Sequence, residues 1–227
     1  MKIQEHYQKL YGSNTVGGTT MSIWQKRTYS DLLKENLNNK KILEVGVGTN
    51  GLIFTLRNQF PDNTYYGVDL SEDVLRHIAT LENIQGINRD LGSQKLDEIE
   101  ANSIDIIIFN EVIEHIFDCQ YALNEIFRIL KKGGKLFIST HNTFNIFMRI
   151  YFLFGIIPNP SLDVSDENTR GEHIRIFNQN TLLKLIKNAG FSIVLDKSWS
   201  GTNKNTFKVS PWIANLLARH FYFICKK

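Results

Sequence analysis

The residues Asn110-Glu111-Val112-Ile113-Glu114-His115-Ile116 stand out as a place where this chain can do chemistry. They follow directly on the apolar run Ile104–Asn110, which reads as a central parallel strand. On a helical turn Glu111, Glu114 and His115 stand at i, i+3 and i+4 and share one face. Two carboxylates and an imidazole so placed can position a cofactor, accept a proton as a general base, or hold a divalent cation. The mixed oxygen and nitrogen set suits Mn²⁺, Fe²⁺ or Zn²⁺ better than Mg²⁺. All three roles are open on these residues alone.

A second constellation precedes it. The apolar run 42–45 ends in Gly46, Gly48 and Gly51, and helix-compatible residues follow from Leu52. This is the pattern of a buried strand, a tight turn and a helix N-terminus, which turns backbone N–H groups and the positive end of a helix dipole towards a ligand. Gly46 and Gly48 let that ligand approach the backbone, and Glu44 puts a carboxylate at the same mouth. A β-rich run, Thr64–Val68, leads to Asp69, about 20 residues beyond the turn, the spacing of an acid that accepts from ribose hydroxyls. Together these features point to an adenosine-containing ligand.

These residues need a scaffold, and the rest of the chain supplies its pattern. Helices are predicted over Leu52–Gln59, 72–79 (capped by Ser71), 119–130 and Gln179–Asn188. Strands are predicted over Lys41–Val45, Thr64–Val68, 84–88, Ile104–Asn110, 135–140, 191–195 and 221–225. The alternation predicts an α/β fold, a doubly wound, mostly parallel sheet with helices on both faces. One domain is expected over 1–227. Residues 1–40 form a helical cap, with helices around Tyr7, Leu10 and Tyr11 and around Ile23, Trp24, Arg27 and Leu32. Residues 141–178 are expected to form a substrate lid, whose apolar part 144–158 reads as a helix packing on the sheet or, alternatively, as the wall of an apolar acceptor pocket or a lipid-facing surface, followed by a polar loop 159–171.

Composition narrows the class. The formal net charge of +3 is too small to argue for a nucleic-acid partner, although residues 197–227 hold six Lys/Arg and no Asp/Glu. Cys119 and Cys225 are too few and too far apart for a disulfide framework, which suits a reducing, cytoplasmic setting. No signal peptide or transmembrane segment is expected, and oligomeric state is not indicated.

Over roughly residues 40–195 the chain resembles the class I S-adenosylmethionine-dependent methyltransferases. The matching residues are Glu44-x-Gly46-x-Gly48, Asp69, Asp90-Leu91, Glu111-Val-Ile-Glu114-His115 and Gly133-Gly134-Lys135-Leu136. The resemblance implies a Rossmann-like sheet of seven strands with the last antiparallel. It places Glu44, Gly46 and Gly48 at the methionine part of S-adenosylmethionine, Asp69 and Leu70 at the ribose, Asp90 and Leu91 at the adenine, and Asn110 and Glu111 beside the methionine moiety. The chain departs from the family at Asn50, where a third glycine is frequent, and at His141, where proline is frequent. The Glu-x-x-Glu-His pattern with a later histidine, here His173, also resembles the metal site of small-RNA 2′-O-methyltransferases and the corresponding segment of ubiquinone-pathway O-methyltransferases. That likeness implies a catalytic role for Glu114, His115 and His173, and a metal set of Glu111, Glu114, His115 and His173. The expected activity is methylation, most readily at oxygen, of a small-molecule acceptor, with apolar and lipid-linked ones among the candidates. An NAD(P)-dependent oxidoreductase and a non-catalytic binding domain are the alternatives. The first is disfavoured by Glu44, the N-terminal cap and the want of a Tyr-x-x-x-Lys pair. His6, His77 and His220 read as surface or packing residues.

Overall fold

The computed structural model describes residues 16–18, 20–156, 173–201 and 206–227. The expected helix around Tyr7 to Tyr11, His6 and the polar loop 159–171 lie outside these residues.

Parallel strands make the centre of the sheet: β1 (Lys41–Val45), β2 (Thr64–Val68), β3 (Ile84–Ile87), β4 (Ile104–Asn110) and β5 (Leu130–His141). β6 (Ser192–Asp196), β7 (Trp199–Gly201), β8 (Thr206–Lys208) and β9 (His220–Lys226) complete it. The order is β3-β2-β1-β4-β5-β9-β7-β8, with β6 also paired to β9, and β9 runs antiparallel to β5, β6 and β7. The seven expected strands are therefore present with the last antiparallel, and the β7–β8 hairpin extends them to nine. Each strand of that hairpin has three residues, too few for an alternation to register in the sequence.

The helices are α1 (Ile23–Leu32), α2 (Leu52–Gln59), α3 (Glu72–Ile78), α4 (Cys119–Ile129), α5 (Ile146–Leu153), α6 (Gln179–Asn188) and α7 (Ala214–Leu217). Side-chain oxygens of Ser22, Ser71, Asp118, Asn145 and Asn178 cap five of them at the N-terminus. The strand period of two sorts the core into two layers. Ile42, Ile106 and Ile108 pack with Leu52, Ile53 and Leu56 of α2 and with Val74 and Ile78 of α3. Leu43, Val45, Ile107 and Phe109 pack on the other face with Leu123 and Ile126 of α4 and Leu182 and Ile186 of α6.

β5 begins five residues before the expected start, because Lys131 to Gly134 lie within the strand rather than in a loop. Gly133, at φ +82°, and a register shift between Ile104 and Ile106 absorb the irregularity. The described part of the N-terminal segment lies over the glycine turn: Gly17 N donates to the Thr49 carbonyl at 2.8 Å, and Gln25 Nε2 to that of Asn50 at 2.7 Å. Among the described residues no helix is long and apolar enough to cross a membrane.

Ile107 is fully buried in the central strand. Ile107→Ala is expected to lower stability by about 2–5 kcal/mol, through lost transfer energy and the cavity left behind. Urea unfolding followed by circular dichroism measures this, and a loss under about 1 kcal/mol would mean that the core collapses around the gap.

Candidate active site

The turn after β1 has the geometry its glycines require. Gly46 and Gly48 adopt φ +67° and +58°, where a side chain is strained. A Cβ on Gly46 would lie 2.3 Å from Val112 Cγ2, whereas one on Gly48 would meet nothing within 4 Å, so Gly48 faces open space. Asn50 has no positive φ, so its tolerance of the left-handed region is not used. Gly51 is the N-cap of α2 and carries no capping side chain. Glu44 takes that role from the preceding strand: its Oε1 accepts from Leu52 N at 3.1 Å and its Oε2 from Ile53 N at 2.9 Å. A Cβ on Gly51 would stand 3.0 Å from that Oε2 and 2.4 Å from Val47 Cγ1, which is why the position needs glycine. Burial outweighs the two donors and pushes the Glu44 carboxyl up to about 8.

Asp69 ties the end of β2 to this turn. Its Oδ2 accepts from Gly48 N at 2.7 Å and its Oδ1 from Ser71 N at 2.8 Å, and burial raises its pKa. Leu70 beside it is half-buried. Asp90 braces the turn after β3, accepting from Gly92 N and Ser93 Oγ at 2.9 Å each. Leu91 is turned into the core at 4% exposure, so only its backbone can face a ligand. Asn110 donates from Nδ2 to Thr28 Oγ1 of α1 at 3.0 Å, and its Oδ1 is buried without a partner.

The segment after β4 departs from expectation. Glu111 adopts φ +53°, and the helical turn, a 3₁₀ turn at Ile113–His115, begins only after Val112 at φ −130°. The shared i, i+3, i+4 face therefore does not form. Instead Glu111 Oε1 accepts from Ser139 Oγ at 2.7 Å, and its Oε2 lies 2.6 Å from His141 Nδ1 and 3.5 Å from His220 Nδ1. Buried Glu114 accepts from Thr140 Oγ1 at 2.9 Å and meets His141 Nδ1 at 3.4 Å. The His173 ring lies 5.3 Å from that of His141 and 4.9 Å from that of His115.

Among the described residues two groups have ligand atoms within 4.8 Å of one another: Glu111, His141 and His220, and Glu114, His141 and His173. The expected metal set of Glu111, Glu114, His115 and His173 does not converge as one group, and His115 joins neither triad. His141 and His220, neither of them among the expected site residues, lie at the centre of this cluster. His220 is buried, stacked between Trp199 at 4.4 Å and Trp24 at 5.9 Å, so it is not a surface residue. His77 does pack, edge-on to Phe54 at 5.3 Å. The one local signal was a histidine flanking each of two apolar runs, Leu136 to Thr140 and Phe221 to Cys225.

The electrostatics follow from these distances. Burial disfavours a charged His141, yet Glu111 and Glu114 raise it to about 10. Burial would likewise raise Glu111, but His141 beside it holds the carboxyl well below the usual range. Burial lowers His173 to about 4, so its ring has a free lone pair at neutral pH.

Comparison with known proteins shows the family. A family profile described as a methyltransferase domain matches residues 21–195. The chain belongs to that family. It is a class I S-adenosylmethionine-dependent methyltransferase. It is 26% identical over 213 residues to a demethylmenaquinone methyltransferase of Staphylococcus epidermidis, covering 88% of this chain and 86% of that one. It is 32% identical over 111 residues to a ubiquinone biosynthesis O-methyltransferase of Pseudomonas fluorescens, a match spanning about half, 47%, of each chain. A solved S-adenosylmethionine-dependent methyltransferase from Mesorhizobium loti shares the fold at 15% identity and TM-score 0.63, covering 89% of this chain and 98% of that one. A possible histamine N-methyltransferase from Thermotoga maritima does so at 17% and 0.63, covering 98% and 94%. Open space over Gly48 and the unpartnered Asn110 Oδ1 fit a cofactor laid across the turn.

Two expectations follow for the methyltransferase. S-adenosylhomocysteine should bind and NAD should not, and Asp69→Ala should weaken that binding by about 1–3 kcal/mol in calorimetry; an unchanged dissociation constant would place the acid on no ligand. The raised folded-state pKa of Glu44 makes the native protein keep a proton that the unfolded chain has lost. Stability without cofactor should then be highest below the unfolded value and fall as pH rises through about 8. Glu44→Gln should flatten that profile in urea midpoints taken across the range, and a slope surviving the substitution would assign it to another group.

Proposed function

We propose that the methyltransferase methylates an oxygen of a small, apolar acceptor, with His173 accepting the acceptor's proton. The observation that carries this reading is the histidine–carboxylate cluster at the carboxyl ends of β4 and β5, beside the glycine turn, where ligands bind in open α/β sheets. S-adenosylmethionine supplies the methyl group, held by the backbone around Gly46 and Gly48 and by Asp69, with Asn110 at its methionine end. Alignment is the protein's main task, because a sulfonium is already a good leaving group. Glu44 acts through α2, fixing the helix start that shapes the turn.

His173 is the supported base because burial keeps it unprotonated and its ring faces the cluster. So weak a base favours an acidic hydroxyl, such as a phenol or enol, over an aliphatic alcohol. Glu114 sits within reach of both His141 and His173 and orients them. An apolar acceptor is supported by α5, which buries none of its residues and exposes Phe147, Ile150, Leu153 and, just beyond it, Phe154. We take this helix as part of a lid over 141–178. The quinone-related names of the relatives support the same acceptor class. Buried, unpaired Cys119 and Cys225 suit a reducing, cytoplasmic setting. Nothing in the site favours nicotinamide chemistry.

Purified protein with isotopically labelled S-adenosylmethionine and a panel of phenolic and enolic acceptors, read by mass spectrometry, tests the reaction. His173→Ala should lower turnover of the best acceptor by about 10²–10⁴-fold while leaving S-adenosylhomocysteine affinity intact. Full turnover in that variant would remove His173 from the mechanism.

A further inference from the structure

Glu111 and Glu114 come from one loop, and both reach a single imidazole. Nδ1 of His141 lies 2.6 Å from Glu111 Oε2 and 3.4 Å from Glu114 Oε1. We propose that the His141 side chain, as an imidazolium, occupies the place expected for a divalent cation, so that the acid pair is neutralised by a charge built into the chain. This deepens the proposed function, since it rests on the cluster being the reaction centre.

Spacing decides between the two cations. Ligand atoms bound at about 2.0–2.2 Å to one ion stand roughly 2.8–3.6 Å apart in octahedral or tetrahedral geometry. The 2.6 Å separation of Nδ1 and Oε2 is too short for two ligands of a common ion, and it suits a direct charge contact between imidazolium and carboxylate. Both candidate cation groups run through His141, so an ion in either would need this ring to leave the carboxylates and give up its proton. One observation points the other way. Glu111 Oε2 and His220 Nδ1 are buried without a hydrogen bond of good direction, as atoms facing a missing ion would be. Their separation of 3.5 Å would suit such an ion, but His141 already fills the approach to Oε2.

The surrounding elements hold the ring in this position. His141 ends β5 and pairs in register with His220 on β9, and their rings lie 4.3 Å apart. His220 is fixed by stacking on Trp199, whose other partner is the Arg27 guanidinium at 4.6 Å. Glu111 is the only residue other than Gly and Asn with a positive φ among the described residues, and this strained backbone accompanies its reach to Ser139 and His141. The counter-ion would thus be in place before any acceptor binds.

Mn²⁺ binding to the full chain, followed by calorimetry and electron paramagnetic resonance, tests the inference without acceptor turnover. The wild-type protein should take up no stoichiometric Mn²⁺. His141→Gln leaves two carboxylates facing each other with no cation between them, and should gain Mn²⁺ affinity by at least about tenfold. His141→Lys keeps a positive charge and should show no such gain. Thermal midpoint and S-adenosylhomocysteine affinity report that each variant is folded, and the wild-type measurement stands alone if a variant is not. Stoichiometric Mn²⁺ in the wild-type protein, removed by EDTA, would overturn the proposal, as would a folded His141→Gln variant with no gain. Because neither measurement uses an acceptor, a failure here is distinguishable from a failure to find the methylated product.

Discussion

The parallel pairing of β1 with β4 is the constraint on which the site depends. Leu43 lies opposite Ile107 and Glu44 opposite Ile108, so both strands end on the same side of the sheet. β1 then turns into the glycine loop and β4 into Asn110 and Glu111, while the following helices leave to opposite faces. The reversal of strand order at this pair opens a crevice between the helices that follow the two strands. Every polar group assigned to cofactor or acceptor borders that crevice or is braced against it.

Acids carry the polar interior around the crevice, and each is answered in a different way. Glu44 is buried beside a helix start and answered by backbone N–H groups. Asp69 is answered by Gly48 and Ser71, which fix the turn that it closes. Glu111 and Glu114 face an imidazole and hydroxyls of β5. Burial raises the protonated fraction of the first two acids, because dipoles alone do not replace water for a full charge. A full positive charge beside Glu111 has the opposite effect. The proposed cofactor side is thus held by neutral dipoles and the proposed acceptor side by paired charges.

The acceptor side is also where apolar surface gathers. Asn142, next to His141, donates from Nδ2 to the carbonyls of Ala214, Asn215 and Ala218, and its Oδ1 accepts from Phe144 N. One buried amide therefore anchors both the approach to α5 and the end of α7. Both anchored segments expose large apolar side chains, among them Leu153, Phe154 and Trp212. Charged chemistry and apolar surface are joined through a single hydrogen-bonded residue, an arrangement suited to an acceptor with one polar, reactive end.

The sequence by itself determined the elements and the glycine turn that borders the candidate site. Strand and helix periods are local, so the apolar runs at Lys41–Val45 and Ile104–Asn110 and the cap at Ser71 were legible. The turn at Gly46 and Gly48 was legible because positive φ is a property of single residues. Its third glycine was legible as a pattern, but not its reason, the path of the Glu44 carboxylate. The acceptor half was decided by the tertiary structure. A helical turn drawn through Glu111, Glu114 and His115 assumed backbone angles that the strand exit does not allow. His141 and His220 are 79 positions apart and look unremarked in sequence, yet they are directly opposed across β5 and β9. Antiparallel register is set by the packing of whole strands, and a one-residue slip would turn each histidine to the other face. No local pattern encodes that register, and so none could show that the two imidazoles and the two carboxylates share one site.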